Sequence, residues 1–245
     1  EELRALARFV DAVLLRVRGG TLDAPPSRAK ERERAAWHTL ETHFRDALES
    51  AREPEVARRA CAHLARAVVG ALEAIAAGGK DASLAAAEVL APLARAKARA
   101  RCLPARIEAV EAMSALVRER GDLLSTTTGW AAALDALRAG DDRDNFVAGA
   151  GDVFPRRRKR KDDAAVVVAG WSAAAFVVSD VLPAWLAAGA EAETPRAGGS
   201  SRGPFLAEGL RSASPALARV VPLLASYASQ TDDVRTSLSA VNALW

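Results

Sequence analysis

The sequence is a succession of alanine-rich stretches in which apolar residues recur at steps of three and four, separated by short breaks that contain glycine or proline. That period places the apolar residues on one face of an α-helix, and no stretch sustains the two-residue alternation of a β-strand. Alanine makes up roughly a quarter of the chain; it is the best helix former, and its small side chain lets helices pack closely. The pattern therefore predicts an all-α protein.

The predicted helices extend between these breaks, and prolines mark several of their beginnings. They cover the ranges Leu3–Val17, Ala29–Ser50, Glu55–Ala77, Leu84–Ala100, Ala105–Arg120, Trp130–Ala139, Ala164–Leu182, Pro204–Ser212, Ala216–Ser229 and Asp233–Trp245. A missing N–H costs nothing in a first turn, and this is where the sequence places Pro54, Pro104, Pro204 and Pro215. Pro92 interrupts an otherwise good pattern and predicts a kink or a split in its helix.

The last predicted helix carries an apolar stripe. Asp232 and Asp233 stand where an N-cap and a first turn favour acidic side chains, which satisfy free N–H groups and interact favourably with the helix dipole. The stripe consists of Val234, Leu238, Val241 and Trp245, at steps of four, three and four. A tryptophan among small residues usually fills the space between closely packed helices, so Trp245 is predicted to lie in the core. The chain begins inside a periodic run and ends on this helix without a stop signal, which predicts a piece of a longer protein.

Helices in pairs with short links predict an α-solenoid of HEAT- or armadillo-like antiparallel helix pairs. Residues 1–245 are predicted to form a single helical-repeat region. Internal similarity supports a repeat, because Pro54–Leu64 and Asp233–Val241 each have a turn residue, then valine and arginine, then small and apolar residues at helical spacing. Two irregular segments interrupt the helices: a basic insert at 149–163 and a flexible loop rich in Gly, Ser and Pro at 190–203.

The histidines and cysteines do not form a recognisable metal or catalytic site. His38 and His43 are five residues apart and do not share the helix face that the zincin arrangement needs. Cys61 and His63 are two positions apart on one helix, where side chains do not face each other. Cys102 is far away in sequence, and a tetrahedral zinc site would need more ligands. We therefore expect buried thiols in a reducing compartment, with no metal and no cofactor.

No catalytic motif is present either. The segment 149–151, Gly-Ala-Gly, lacks the lysine and the strand-to-helix context of a phosphate-binding loop. Ser200 and Ser201 stand in the Gly/Ser/Pro-rich loop without a partnered base. The aspartate pairs at 141–142 and 162–163 flank predicted helices, where acids act as caps. The sequence thus predicts no catalytic residue and a protein that is not an enzyme.

One conspicuous charged run lies in the basic insert. It consists of Arg156, Arg157, Arg158, Lys159, Arg160 and Lys161. Such a run can contact an anionic membrane, RNA or a nuclear import receptor, or it can be a solvated loop balanced by nearby aspartates. The solvated loop is favoured, and lipid is favoured over nucleic acid because no aromatic side chains are interleaved for base stacking. The net charge of +3, from 34 basic and 31 acidic residues, does not by itself require a nucleic acid or an anionic membrane as a partner.

The hydrophobic residues are spread too evenly to predict a membrane-spanning segment. The chain has no run of about eighteen uninterrupted apolar residues, and its beginning does not have the pattern of a signal peptide. No transmembrane helix is therefore expected.

Three segments in the second half resemble a known family when they are taken in order. They are Gly129-Trp130 at a helix start, Ala175–Trp185 (AFVVSDVLPAW) and Ser237–Trp245 (SLSAVNALW). Their order resembles the helical repeat region of the large Arf guanine-nucleotide exchange factors and their relatives. The last segment is most similar to the monensin-sensitivity-two protein family, relatives that lack a Sec7 domain. The resemblance covers about 105–245, and the two irregular segments depart from it.

The resemblance implies a cytoplasmic scaffold, peripheral on trans-Golgi and endosomal membranes, in vesicle-mediated transport between the Golgi and endosomes. It implies three protein partners, namely a Dopey-type protein, a lipid flippase and an Arf-like GTPase, and it transfers no catalytic residue. Two alternatives stay open: the regulatory helical region of a Sec7-type Arf exchange factor, and a HEAT-type nuclear transport or RNA-associated protein.

Overall fold

The structure is a computed structural model that describes residues 26–78, 84–125, 128–139, 163–193, 204–231 and 233–245. The predicted helix Leu3–Val17 lies outside the described residues, as do 149–162 of the basic insert and 194–203 of the Gly/Ser/Pro-rich loop. All regular elements in the described part are helical, which confirms the all-α prediction.

The described helices follow the predicted succession closely. They are α1 (Pro26–Ser50), α2 (Pro54–Gly78), α3 (Ala86–Arg99), α4 (Leu103–Glu119), α5 (Gly129–Leu137), α6 (Asp163–Phe176), α7 (Leu182–Glu193), α8 (Pro204–Ala228) and α9 (Val234–Leu244). A short 3-10 turn, Gly121–Leu124, follows α4, and a π-helical segment, Val177–Val181, joins α6 to α7 without a break. Residues 190–193, predicted as loop, are the last residues of α7 instead.

Prolines account for several helix boundaries and for one contact between helices. As predicted, α2 begins at Pro54 and Pro104 lies in the first turn of α4. Pro92 does not split α3, which runs through it. Because a proline lacks the N–H that would bond to the carbonyl four residues earlier, the Glu88 carbonyl is left open. The indole Nε1 of Trp37 on α1 donates to that carbonyl at 3.4 Å, which ties α1 to α3.

The prediction of two helices, Pro204–Ser212 and Ala216–Ser229, was wrong. The structure has a single helix, α8, that passes through Pro215. An interior proline costs about 3 kcal/mol in a helix. Tertiary packing offsets this cost, because the half of α8 that follows the proline buries a regular apolar face: Ala216, Val220, Leu223, Leu224 and Tyr227.

The helices pack in two rows. In the first row α1 contacts α3, α3 contacts α5, and α5 contacts α8. In the second row α2 contacts α4, α4 contacts α6, and α6 touches α9. Helices that are consecutive in the chain also pack across the rows, as α3 does on α4 and α8 does on α9. Most helices therefore have their principal neighbours one or two helices away in the chain, whereas α5 and α8 pack on each other with α6 and α7 between them in sequence.

Alanine fills much of the space between α2 and α4 in the second row. On α2 the fully buried positions include Ala57, Ala60 and Ala67, and on the facing α4 they include Ala105 and Ala109. These small side chains let the two helix axes approach closely, as the composition predicted. Larger buried side chains come from α1 to α5 and from α8: Leu40 and Phe44, Leu64 and Leu72, Leu90 and Leu93, Met113, Leu134 and Leu137, and Leu223 and Tyr227.

Two described helical stretches are long and apolar enough to cross a membrane by length and composition, Pro54–Gly78 and Ala164–Ala187. The sequence prediction considered only uninterrupted apolar runs, whereas an average over a window tolerates a few polar residues. Half of the apolar window of the first stretch is buried inside the fold, and a third of the second. The first is the helix α2, whose apolar face lies in the core; the second leaves Val168 and Leu186 exposed.

Candidate interaction surface

The residues that the sequence singled out do not assemble into a chemical site. The basic run Arg156–Lys161 lies outside the described residues. His38 and His43 are both exposed on α1, and His63 lies on α2 beside the guanidinium of Arg66. In the part of the chain that the structure describes, no group of three or more His, Cys, Asp or Glu side chains could hold a metal ion.

The two cysteines are free thiols in different surroundings. Cys61 is fully buried on α2, as predicted, and Cys102 is half-buried just before α4. Burial, with a smaller contribution from the charge of Glu108, raises the pKa of the Cys61 thiol to about 12. The thiolate is the nucleophilic form of cysteine. Cys61 is therefore an inert core residue at neutral pH.

The residues that sequence reasoning missed are buried polar groups at the end of α5. Nζ of Lys97, which is only 6% exposed, donates to the carbonyls of Ala136 and Arg138 at 2.6 and 2.7 Å. The hydroxyl of Tyr227 donates to the carbonyl between them, Leu137, at 2.6 Å. The last carbonyls of a helix have no partner within it. Side chains from α3 and α8 supply these partners and join three helices at one point.

The absence of a side chain at Gly170 leaves space for the Tyr227 hydroxyl. A Cβ added at Gly170 of α6 would lie 2.2 Å from the Tyr227 hydroxyl, so any larger residue there would collide with it. Trp171 beside it packs edge-on against the Tyr227 ring, with 5.5 Å between the ring centroids. No pattern in the sequence marks these residues, because Lys97 stands among ordinary surface cations and Gly170 interrupts an apolar run.

Helix α9 is anchored to α8 through its small side chains. Thr236 and Ala240 are its buried residues, and the hydroxyl of Ser237 donates to the Ala228 carbonyl at 2.6 Å. At its N-terminus the Asp233 carboxylate accepts a hydrogen bond from the Thr236 N–H at 2.8 Å, which confirms the predicted N-cap. Hydrogen bonds from the Thr236 side chain and, second, from its backbone N–H lower the pKa of Asp233 below its usual value.

Two hydrogen bonds between Gln230 and Asp233 span the turn before α9. The side-chain carbonyl of Gln230 accepts from the Asp233 N–H at 2.9 Å, and its amide nitrogen donates back to the Asp233 carbonyl. These paired bonds thus tie Gln230, just after α8, to the N-cap of α9.

The apolar stripe of α9 faces away from the fold. Val234 and Leu238 are 68% and 60% exposed, Val241 is also exposed, and Trp245 is fully exposed. The prediction that Trp245 fills the core was therefore wrong. Because α9 packs on α8 through Thr236 and Ala240, its large residues are turned outward. Val221 on α8 and Leu244 on α9 are exposed as well.

We call the five exposed apolar residues of α9 the α9 face: Val234, Leu238, Val241, Leu244 and Trp245. Within 233–245 the sequence holds only two charged residues, Asp233 at the cap and Arg235 beside the stripe. An exposed apolar patch with few charges is typical of a surface that binds another protein or a membrane. It offers no groups for acid–base or metal chemistry.

Comparison of the chain with protein-family models, with curated proteins and with solved structures finds no match in any of the three.

Proposed function

We propose that the chain is a non-enzymatic helical scaffold, built as a HEAT- or armadillo-like α-solenoid, that acts by presenting surfaces to other proteins. The observation that carries this proposal is the α9 face, an exposed apolar surface on a helix that hydrogen bonds and small side chains hold against α8. A helix whose large apolar residues point outward needs a partner to remove them from water.

The solenoid architecture is supported by the order of contacts. In a solenoid each helix pair packs on the pairs before and after it, so that helices two apart in the chain form continuous rows. The two rows α1–α3–α5–α8 and α2–α4–α6–α9 have this order, with α7 as an extension of α6. The alanine-lined contact between α2 and α4 is the kind of inter-repeat packing that such a row requires.

The setting of the scaffold comes from the sequence resemblance to the monensin-sensitivity-two family. We propose that the chain acts in vesicle-mediated transport between the Golgi and endosomes, on the cytoplasmic side and peripheral to trans-Golgi and endosomal membranes. The corresponding partners are a Dopey-type protein, a lipid flippase and an Arf-like GTPase. The basic run Arg156–Lys161 is the proposed contact with anionic lipid.

Binding of purified partners to the chain and to matched variants tests this proposal. Leu238→Glu places a charge in the α9 face, and Leu186→Glu places the same charge on α7 at nearly the same exposure, 60% against 58%. We expect at least one of the three partners to bind the parent chain, and Leu238→Glu to weaken that binding about tenfold or more while Leu186→Glu does not.

Two outcomes would contradict the proposal. Absence of binding to all three partners would remove the trafficking role. RNA binding that weakens steeply with salt and is lost when Arg156–Lys161 is neutralised would favour a nucleic-acid-associated protein instead.

A further inference from the structure

We propose that the α9 face binds the α9 face of a second copy of this chain, as an antiparallel helix pair about a two-fold axis. The inference deepens the scaffold proposal and rests on the α9 face being a protein-binding surface. It does not depend on the trafficking partners.

The spacing of the stripe is the first argument. Val234, Leu238, Val241 and Trp245 are separated by steps of four, three and four, so the stripe has the same spacing in both directions along the helix. In a two-fold interface the same patch serves both subunits and must be complementary to itself. When two α9 helices pair antiparallel, Val234 of each copy faces Trp245 of the other, and Leu238 faces Val241.

The sizes of the facing side chains fit this register. The largest residue, Trp245, is placed opposite Val234, one of the smaller ones, and the intermediate residues face each other at the centre. A parallel pair would instead place Trp245 on Trp245 and Val234 on Val234, which crowds one end and leaves the other loosely packed. Complementary packing of large against small residues favours the antiparallel pair.

Charge favours the same arrangement. Arg235 flanks the stripe and is exposed. In a parallel pair the two Arg235 side chains would lie at the same level and repel each other. In the antiparallel pair they lie at opposite ends, each beside Trp245 of the second copy, where a guanidinium can rest against the indole ring.

The area is adequate for a reversible dimer. From their exposed fractions, the five residues of the α9 face could bury at most on the order of 600 Å² per copy, which is below the roughly 800 Å² per partner of a standard interface and fits a weak, reversible dimer. Small-side-chain anchoring on α8 and the Gln230–Asp233 bonds hold the face in place before binding. Little ordering is therefore required when two copies meet.

Sedimentation equilibrium over a range of concentrations tests the dimer. We expect the 245-residue chain to be monomeric at low and dimeric at high micromolar concentration. Leu238→Glu should shift the midpoint about tenfold or more to higher concentration, whereas the matched Leu186→Glu should leave it unchanged. Circular dichroism checks that both variants keep the helix content of the parent.

Cysteine cross-linking tests the register, in a Cys102→Ser background that keeps only the buried Cys61. In an antiparallel pair, residue 234 of one copy lies about 16 Å along the helix axis from residue 234 of the other copy, and the same holds for residue 245. A disulfide spans at most roughly 7 Å between Cα atoms. We therefore expect no disulfide dimer from Val234→Cys alone or from Trp245→Cys alone, and a disulfide dimer when the two variants are mixed and mildly oxidised.

The remaining outcomes would overturn the inference. A chain that stays monomeric at every concentration would contradict the dimer, and so would a monomer that binds anionic lipid vesicles through Leu238. The binding of trafficking partners would remain a separate question with its own test. A dimer that survives Leu238→Glu would place the interface elsewhere. A disulfide formed by Val234→Cys alone would show a parallel pair.

Discussion

At the scale of single residues, the most consequential groups are polar side chains inside an otherwise aliphatic core. Lys97 and Tyr227 together satisfy three successive carbonyls at the end of α5, and they do so from two different helices. A buried carbonyl that loses its donor costs about 1–3 kcal/mol, because water cannot replace the partner. These residues therefore fix how α3, α5 and α8 meet.

Gly170 and Tyr227 should show strong coupling in a double-mutant cycle. Tyr227→Phe leaves the Leu137 carbonyl without its donor and should destabilise the fold by about 1–2 kcal/mol. Gly170→Ala places a methyl 2.2 Å from the tyrosine hydroxyl and should cost about 1–3 kcal/mol. Without the hydroxyl the nearest ring atom is 3.3 Å away, and alanine is the better helix former by about 1 kcal/mol. Gly170→Ala should then be close to neutral in the Tyr227→Phe background.

Urea denaturation of the parent, the variants Gly170→Ala and Tyr227→Phe, and the double variant measures this coupling. Gly121→Ala is a matched control, because its methyl would approach Trp130 and not Tyr227. Its cost should be the same with and without Tyr227→Phe. If the effects of Gly170→Ala and Tyr227→Phe on the free energy of unfolding were additive, the Tyr227 hydroxyl would not be the group that excludes a side chain at position 170.

Lys97→Met should be among the most destabilising substitutions of a charged residue in the described chain. Methionine keeps most of the buried stem but donates no hydrogen bond to Ala136 and Arg138. Hydrogen bonds from a charged group contribute about 1.5–3 kcal/mol, so a loss of about 2–3 kcal/mol is expected in urea denaturation. Lys30→Met on the exposed side of α1 should stay within about 0.5 kcal/mol of the parent. Similar effects of the two substitutions would contradict the structural role of Lys97.

At the scale of elements, α9 shows how a helix can be correctly predicted and wrongly oriented. The periodicity of Val234, Leu238 and Val241 identified the helix and its stripe, and Asp233 identified its start. Periodicity alone does not predict which face of a helix packs against its neighbour. Here the packed face is that of Thr236 and Ala240, because their small side chains allow close packing on α8.

The N-cap makes the stability of α9 depend on pH in a defined direction. Hydrogen bonds from the Thr236 side chain and from its backbone N–H lower the pKa of Asp233 in the folded protein below that of the unfolded chain. The contribution of Asp233 is therefore present in full above the unfolded pKa, about 4, and is lost as the pH falls through the lower folded value. Asp233→Ala should remove hydrogen-exchange protection from α9 at pH 6, and the difference from the parent should shrink toward pH 2.

Asp233→Ser is the control for this prediction. Serine also caps a helix but does not titrate. It should keep most of the protection at pH 6 and lack the pH-dependent loss that the parent shows. If parent and Asp233→Ser lose protection in parallel on acidification, groups other than Asp233 are responsible.

The limits of prediction from sequence have identifiable physical causes. Helix existence was predictable because periodicity and first-turn prolines such as Pro54 and Pro104 act locally. The continuity of α8 through Pro215 was not, because it depends on burial against other helices. The same holds for the α9 face and for Lys97. A sequence does not show whether an apolar helix stripe or a lysine is buried or exposed, because that depends on how the helices pack.

At the scale of the whole molecule, the arrangement of neighbours determines how instability should spread. In a solenoid each pair depends mainly on the pairs beside it, whereas a closed bundle gains or loses its stability as one unit. Leu40 of α1 and Leu223 of α8 are both fully buried and lie toward opposite ends of the first row. Leucine-to-alanine changes in a core cost about 2–5 kcal/mol, which is enough to compare the two ends.

Hydrogen exchange followed by mass spectrometry should reveal local responses to these two substitutions. Leu40→Ala removes packing between α1 and its neighbours α2 and α3, so exchange should increase in these helices while α9 keeps its protection. Leu223→Ala should increase exchange in α5, α8 and α9 and leave α1 unchanged, since α8 contacts α5 and α9 directly. Each variant serves as the control for the other, because the substitution is the same and only its place in the row differs. If both variants raised exchange equally in every helix, the two rows would be a single cooperative unit and the solenoid proposal would fail.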